Sequence, residues 1–247
     1  MFNFYDIDNI YVIGDVHGCY HTLLKLINKL PKNAKIIFVG DLIDKGNYSV
    51  EVLELIINNP EKYFTIKGNH ELLYLKYIKD IINNNIKGNL WSNNKKFGGY
   101  KTIYSYMKNI HLLEKHLSFI KNTKNYIEIN NFFITHGYGL PYYDMKDLTK
   151  YQKKILSNCI NSINYTGDYK VNYNKYNIIN IYGHCSFKDI YRDNNTICID
   201  TSCVYGFYLT AIKLDSIKLK IIDKDKKLID KEQLIIFKEN VCDKDIF

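Results

Sequence analysis

The sequence predicts an α/β fold whose polar loops collect at the carboxyl ends of its strands, and two observations carry that prediction. Three successive units of buried strand, Gly-rich polar loop and amphipathic helix fill the first third of the chain, which is the grammar of parallel βαβ winding. From Tyr126 the pattern changes to short apolar strands, which points to a second sheet. A chain of 247 residues with 46% hydrophobic content can bury a full core as one domain, 1–247, and contains no repeat or low-complexity linker to divide it.

In order, Tyr11 to Ile13 reads as a buried strand that stops at Gly14 and releases Asp15 and His17 into a loop. Leu23, Leu24, Leu26, Ile27 and Leu30 then share one helical face, and Pro31 ends the run. Lys35 to Val39 is a second strand, whose loop Gly40-Asp41-Leu42-Ile43-Asp44-Lys45-Gly46 leads into a helix carrying Val50, Leu53, Ile56 and Ile57. Tyr63 to Lys67 is a third strand, ending at Gly68-Asn69-His70-Glu71 and followed by a helix from Leu72 to Ile82.

Asn83 to Gly99 is polar and irregular, and Tyr100 to about Lys121 is helical; together, 83–121 are expected to form a cap over the site. Tyr126 to Ile129 and Phe132 to Thr135 make a hairpin ending at His136-Gly137. Loop and helix extend to Asp168, and Ile178 to Tyr182 is a strand ending at Gly183-His184. Strands at Thr196–Asp200, Tyr208–Leu214, Ile217–Ile222 and Leu234–Phe237 are expected to complete the second sheet, and the Lys/Asp-rich tail to be solvated.

Composition narrows the function classes. Net charge is +8, yet the lysines are dispersed and Arg192 is the only arginine, so the basic balance does not indicate nucleic-acid binding. No long neutral apolar run is present and the first residues lack the basic-then-apolar form of a signal peptide, so a cytoplasmic protein without membrane contact is expected. The six cysteines are scattered without a Cys-x-x-Cys, and reduced core thiols are expected.

The strand-end loops hold Asp15, His17, Asp41, Asp44, Asn69, His70, His136 and His184. Of seven histidines these four lie in Gly-flanked loops and three lie in helical stretches, a sorting that random placement would not produce. Imidazole, carboxylate and amide oxygen together suit borderline transition ions such as Mn, Fe, Zn or Co better than Ca or Mg. The ligands suffice for two divalent metal ions, with Asp41, on the second of the three loops, as the natural bridge.

These loops, in this order, resemble the signature of the calcineurin-like metallophosphoesterases. More narrowly, they resemble the phosphoprotein phosphatase branch, which is related to the symmetrical diadenosine tetraphosphate hydrolases. The stretch from Ile199-Asp200-Thr201-Ser202 to Leu209-Thr210-Ala211 is similar to the closing strands of its small bacterial and phage members. The resemblance implies a β-sandwich flanked by helices. It further implies that Asp15, His17 and Asp41 hold one ion and that Asp41, Asn69, His136 and His184 hold the other. His70 would be the general acid for in-line attack by a metal-activated water, with Asp44 orienting its ring.

Lys45 stands where the family usually has arginine, and the second phosphate-binding arginine of protein phosphatases has no counterpart; Lys146 is the candidate to replace its charge. The leading expectation is a serine/threonine protein phosphatase acting on a phosphorylated protein or small phosphoester. A hydrolase of diadenosine polyphosphates or cap-like ends is the alternative, with Trp91, Phe97 or Tyr100 stacking a base. A catalytically weak phosphoprotein-binding scaffold ranks last.

Overall fold

The computed structural model describes residues 8–83, 89–159, 177–193, 195–217, 219–223, 226–229 and 234–246. Its first sheet runs in the order β12-β9-β1-β2-β3, built from β1 (Ile10–Ile13), β2 (Lys35–Phe38), β3 (Tyr63–Thr65), β9 (Tyr208–Lys213) and β12 (Ile236–Asn240). β1, β2 and β3 are parallel, as their helical crossovers require, and β9 and β12 add antiparallel. The second sheet is β4-β5-β6-β8-β7, from β4 (Tyr126–Ile129), β5 (Phe132–Thr135), β6 (Ile179–Tyr182), β7 (Tyr191–Asp193) and β8 (Thr196–Cys198).

Side-chain alternation along the strands produces the layers. Ile10 and Val12 of β1 and Ile37 of β2 join Ile134, Ile181 and Ile197 of the second sheet in one apolar core between the sheets. The intervening Tyr11, Ile13, Ile36 and Phe38 face the other way, onto α1 (Tyr20–Asn28), α2 (Ser49–Ile57) and α3 (Asn69–Ile82). On the far side, α7 (Thr149–Ser157) sets Ile155 against Phe133 of β5. The result is the four-layer, helix-flanked sandwich, and each fully buried isoleucine contributes about 1.5–3 kcal/mol to it.

Between α3 and β4 lie α4 (Leu90–Asn93), α5 (Gly99–Tyr106) and α6 (Leu113–Asn122). α5 packs on α2 and α6 on α3, while residues 91–102 also reach the polar loops. Residues 140–145 form a 3-10 turn ahead of α7, and 160–168, the remainder of the expected loop and helix, lie outside the described residues.

Several expectations are corrected. The strand at Tyr208–Lys213 and the strand near Leu234–Phe237 complete the first sheet, not the second, because β9 pairs with β1. Among the described residues, β10 (Leu219–Asp223) pairs only with β11 (Lys226–Ile229), as a separate two-stranded ribbon. The tail is not all solvated: Asp245 is fully buried and accepts the His21 and Thr22 backbone N–H groups and the Thr22 hydroxyl at 2.6–3.0 Å. It thus caps α1, whose own N-cap, Cys19, supplies no side-chain cap. Cys159 and Cys185 are joined in a disulfide with Cα atoms 5.7 Å apart, whereas Cys19, Cys198 and Cys203 are buried thiols as expected. Among the described residues no helix is long and apolar enough to cross a membrane.

Candidate active site

The loops after β1, β2 and β3 converge because their backbones interlock. His17 N–H donates to the Asp41 carbonyl at 2.8 Å, Gly18 N–H to the Leu42 carbonyl at 2.8 Å, and Gly46 N–H to the His17 carbonyl at 2.9 Å. The sharp reversals place His17, Asp41, Asp44 and Lys45 at φ of 46°, 49°, 72° and 63°, a left-handed conformation that costs energy in non-glycine residues and concentrates at functional sites. Gly40 is required here, since its φ is 95° and a Cβ would lie 2.5 Å from the Gly68 nitrogen.

A residue whose role the sequence did not suggest ties the three loops together. Glu71 is buried and its carboxylate accepts the backbone N–H of Asp41 and Leu42 at 2.8 Å and of Gly68 at 2.7 Å. Burial and the nearby charge of Asp41 push its pKa up to about 7. Its place three residues into the helix following Gly68, the position from which a glutamate reaches back to the helix start, was the available signal.

Two donor groups then share one carboxylate. Ligating atoms of His17, Asp41 and His70 lie within 4.8 Å of one another, and so do those of Asp41, His136 and His184. His17 Nε2 is 3.5 Å from Asp41 Oδ2, and His136 Nε2 is 3.3 Å from Asp41 Oδ1 and 2.9 Å from Asn69 Oδ1. The Nδ1 atoms of His17 and His136 each bond a backbone carbonyl, Ile43 and Val39 respectively, at 2.8 Å, which turns Nε2 inward. That arrangement of ring and carbonyl is the one by which metal-binding histidines are held. The residues therefore fit a pair of divalent cations, and the mixed nitrogen and oxygen donors suit a borderline transition ion.

Asp15 is buried, and its carboxylate accepts the His184 backbone N–H at 3.2 Å. Burial and the charge of Asp200 push its pKa well up. Asp41 behaves oppositely: burial works against ionisation, but His136, His70 and His17 around it hold its carboxyl well below the usual range. Burial and neighbouring His136 lower His184 to about 4, leaving its imidazole neutral.

Asp44 is fully buried and saturated. Its Oδ2 accepts from His70 Nδ1 and from Trp91 Nε1, each at 2.7 Å, and its Oδ1 accepts the Thr102 hydroxyl at 2.5 Å. Burial opposes protonation of His70, but Asp41 and Asp44 outweigh it and raise its pKa. Lys45 Nζ lies 2.8 Å from His17 Nε2.

The nine strand-end residues thus gather at one edge, and all of them but Asp44 and His136 line a cleft of about 200 Å³ to which Lys96, Phe97, Ser186, Asp200 and Tyr205 also contribute. A larger apolar groove of about 480 Å³, lined by Ile56, Tyr63, Phe119 and Ile127, lies apart from this chemistry. Three secondary expectations fail. Lys146 sits on the Tyr143 ring and 3.6 Å from Glu128, away from the cleft. Trp91 has no exposed surface, its N–H being committed to Asp44, and Tyr100 packs edge-on to Tyr104 outside the cleft lining, so neither presents a face to a base in the cleft. Asp200 and Ser186, whose hydroxyl donates to the Asp200 carboxylate at 2.8 Å, were given no role from the sequence; the signal was a carboxylate just past the apolar strand Thr196–Cys198.

A family profile described as calcineurin-like phosphoesterase matches residues 9–158. The chain belongs to this family. As a calcineurin-like phosphoesterase it is a phosphoric ester hydrolase, of a family that uses a dinuclear metal centre. It is similar to the asymmetrical bis(5'-nucleosyl)-tetraphosphatase PrpE of Anoxybacillus flavithermus, 26% identical over 230 residues, which covers 82% of this chain and 89% of that protein. It is also similar to the PP2A-like serine/threonine-protein phosphatase PPG1 of Candida albicans, 44% identical over 68 residues, 25% of this chain and 16% of the phosphatase's length.

Among solved structures, a serine/threonine phosphatase from Saccharomyces cerevisiae superposes with a TM-score of 0.62 at 17% identity, covering 98% of this chain and 82% of that one. A provisionally assigned diadenosine tetraphosphatase superposes at 0.60 and 16% identity, covering 97% and 96%. These likenesses are of fold.

Proposed function

We propose that this phosphoesterase holds one divalent ion with Asp15, His17 and Asp41 and a second with Asp41, Asn69, His136 and His184, manganese being the expected metal. The observation that carries the reading is the pair of donor groups meeting at Asp41, with the buried Asp44–His70 pair beside them. Ions bound there would acidify a water and neutralise phosphoryl oxygens.

The other tasks fall to the chain. Because Asp44 fixes His70 through Nδ1, His70 Nε2 is left to face the cleft, and the raised pKa of the ring favours the protonated form that a general acid needs. As the oxygen of water bonds to phosphorus, the P–O bond to the leaving group breaks and that proton passes from His70 Nε2 to the leaving oxygen. Lys45 supplies a point charge to the phosphoryl group in place of a bidentate arginine.

Phosphoserine and phosphothreonine in proteins are one substrate class, supported by the complete 40–46 loop and its Asp44–His70 contact. Nucleoside polyphosphates are the second, and one observation favours them: in sequence, the similarity that spans most of both chains is to a tetraphosphatase, while that to the phosphatase PPG1 covers a quarter of this chain. The test is turnover of a phosphoserine peptide and of diadenosine tetraphosphate by manganese-loaded protein, with His70→Asn alongside. His70→Asn is expected to lower kcat on the preferred substrate by roughly 100-fold or more while manganese binding, read by calorimetry, is retained. Unchanged turnover would overturn the assignment of His70.

A further inference from the structure

We propose that Lys96 and Tyr205 form a leaving-group subsite that selects nucleoside polyphosphates over simple phosphomonoesters; the proposal rests on the phosphoesterase reading above. The cations that line the cleft are Lys45 and Lys96. Lys45 is drawn inward to His17, where the reacting phosphoryl group belongs. Lys96 lies on the exposed rim and, among the described residues, has no ion-pair partner.

Its position is set by backbone. Lys96 N–H donates to Asn94 Oδ1 at 2.9 Å, Phe97 N–H to the Asn94 carbonyl at 3.0 Å, and Lys45 N–H to the Gly98 carbonyl at 3.2 Å. The two lysines are thereby joined through a short, hydrogen-bonded segment. A phosphomonoester carries one phosphate, which Lys45 already faces. A substrate with linked phosphates brings further anionic groups that a second, unpaired ammonium can take.

Two aromatic rings line the same cleft. Phe97 is packed against the helix-side core, whereas Tyr205 is 58% exposed. Tyr205 ends a tight turn bounded by Ser202 at φ 60° and Gly206 at φ 93°, with its N–H bonded to the Ser202 carbonyl at 3.0 Å, so the backbone that carries the ring is fixed at the cleft. Its centroid is 5.2 Å from Lys45 Nζ, next to the reacting group, and a planar base attached to the leaving phosphates can stack on its open face.

The experiment measures kcat/KM of the manganese-loaded full chain on p-nitrophenyl phosphate, inorganic tripolyphosphate and diadenosine tetraphosphate for wild type, Lys96→Ala, Tyr205→Leu and the control Lys146→Ala. Lys96→Ala is expected to lower the ratio of either polyphosphate to p-nitrophenyl phosphate by about tenfold, the effect of one lost charged contact. Tyr205→Leu should lower the ratio for diadenosine tetraphosphate by about fivefold or more and leave that for tripolyphosphate in place. Lys146→Ala should move neither ratio. Both side chains are exposed, so the variants should melt with wild type.

If the ratios do not change, or if Lys96→Ala and Lys146→Ala change them alike, the subsite is refuted while the phosphoesterase reading stands. Failure of wild type to hydrolyse any of the three would overturn the reading itself and the subsite with it.

Discussion

The loops after β1, β2 and β3 are bound to one another through backbone and through one shared carboxylate, whereas the loops after β5 and β6 bond to each other by backbone and meet the first three through side chains. The first three loops hydrogen-bond to one another directly, and Glu71 collects three of their N–H groups. His136 is instead aimed by a ring contact to the Val39 carbonyl, and His184 by the Asp15 carboxylate on its N–H and by the neighbouring disulfide at Cys185. One half of the site is thus a single interlocked unit, and the other is attached to it. The difference predicts how each half fails.

The largest effect should come from Glu71→Ala. It strands three buried N–H donors at once, at about 1–3 kcal/mol each, a large share of a total stability of roughly 5–15 kcal/mol. A urea titration should therefore show a drop of at least about 3 kcal/mol, together with weakened manganese binding; a loss under about 1 kcal/mol would mean that the loops hold without their buried carboxylate. Cys159→Ser should cost less. Removing that crosslink is expected to lower stability by about 2 kcal/mol, with wild type in dithiothreitol falling to match, and turnover should survive. Turnover abolished by the serine variant would erase the contrast, since the attached half would then be as indispensable as the interlocked one.

The smallest effect belongs outside both halves. On α2, Glu54 accepts from Lys115 Nζ at 2.7 Å and from His116 Nε2 at 2.8 Å. Partial burial opposes its ionisation, but these partners win and lower its pKa from 4.5 to about 2. His116 is itself lowered, because burial outweighs the pull of Glu54, so its ring is a neutral donor and Lys115 is the charged partner. A carboxylate with a depressed folded-state pKa contributes stability above its unfolded pKa and loses it as pH falls through the folded one. Glu54→Gln should therefore cost about 0.5–1 kcal/mol at pH 7, and the gap to wild type should close between pH 4.5 and 2. A gap that persists at pH 2 would assign the contact to packing.

The legibility of the site follows the same division. Asp15, His17, Asp41, Asp44, Asn69 and His70 stand in short Gly-bounded loops after apolar strands, so their clustering could be read from local pattern. His136 and His184 were readable for the same reason, but what aims them was not, because Asp15 lies 169 positions from His184. Trp91 was visible as a lone aromatic in a polar stretch; its burial against Asp44 is a contact between positions 47 apart that no local periodicity encodes. The placement of β9 and β12 in the first sheet was missed likewise. Strand composition reports that a segment is extended and half-buried, not which edge it will join. Lys146 and Lys96 differ only in where the folded chain delivers them, and composition could not choose between them.

The pairing of β1 with β9 bears on how the chain is made. β1 is made some 200 residues before its neighbour on one side, and β12 and the helix-capping Asp245 come later still. Until then the strand that launches Asp15 and His17 has an open edge, and a nascent chain long enough to span the 9–158 region still exposes it. Such long sequence separations slow folding, so synthesis of this protein calls for protection of that edge until the last strands arrive.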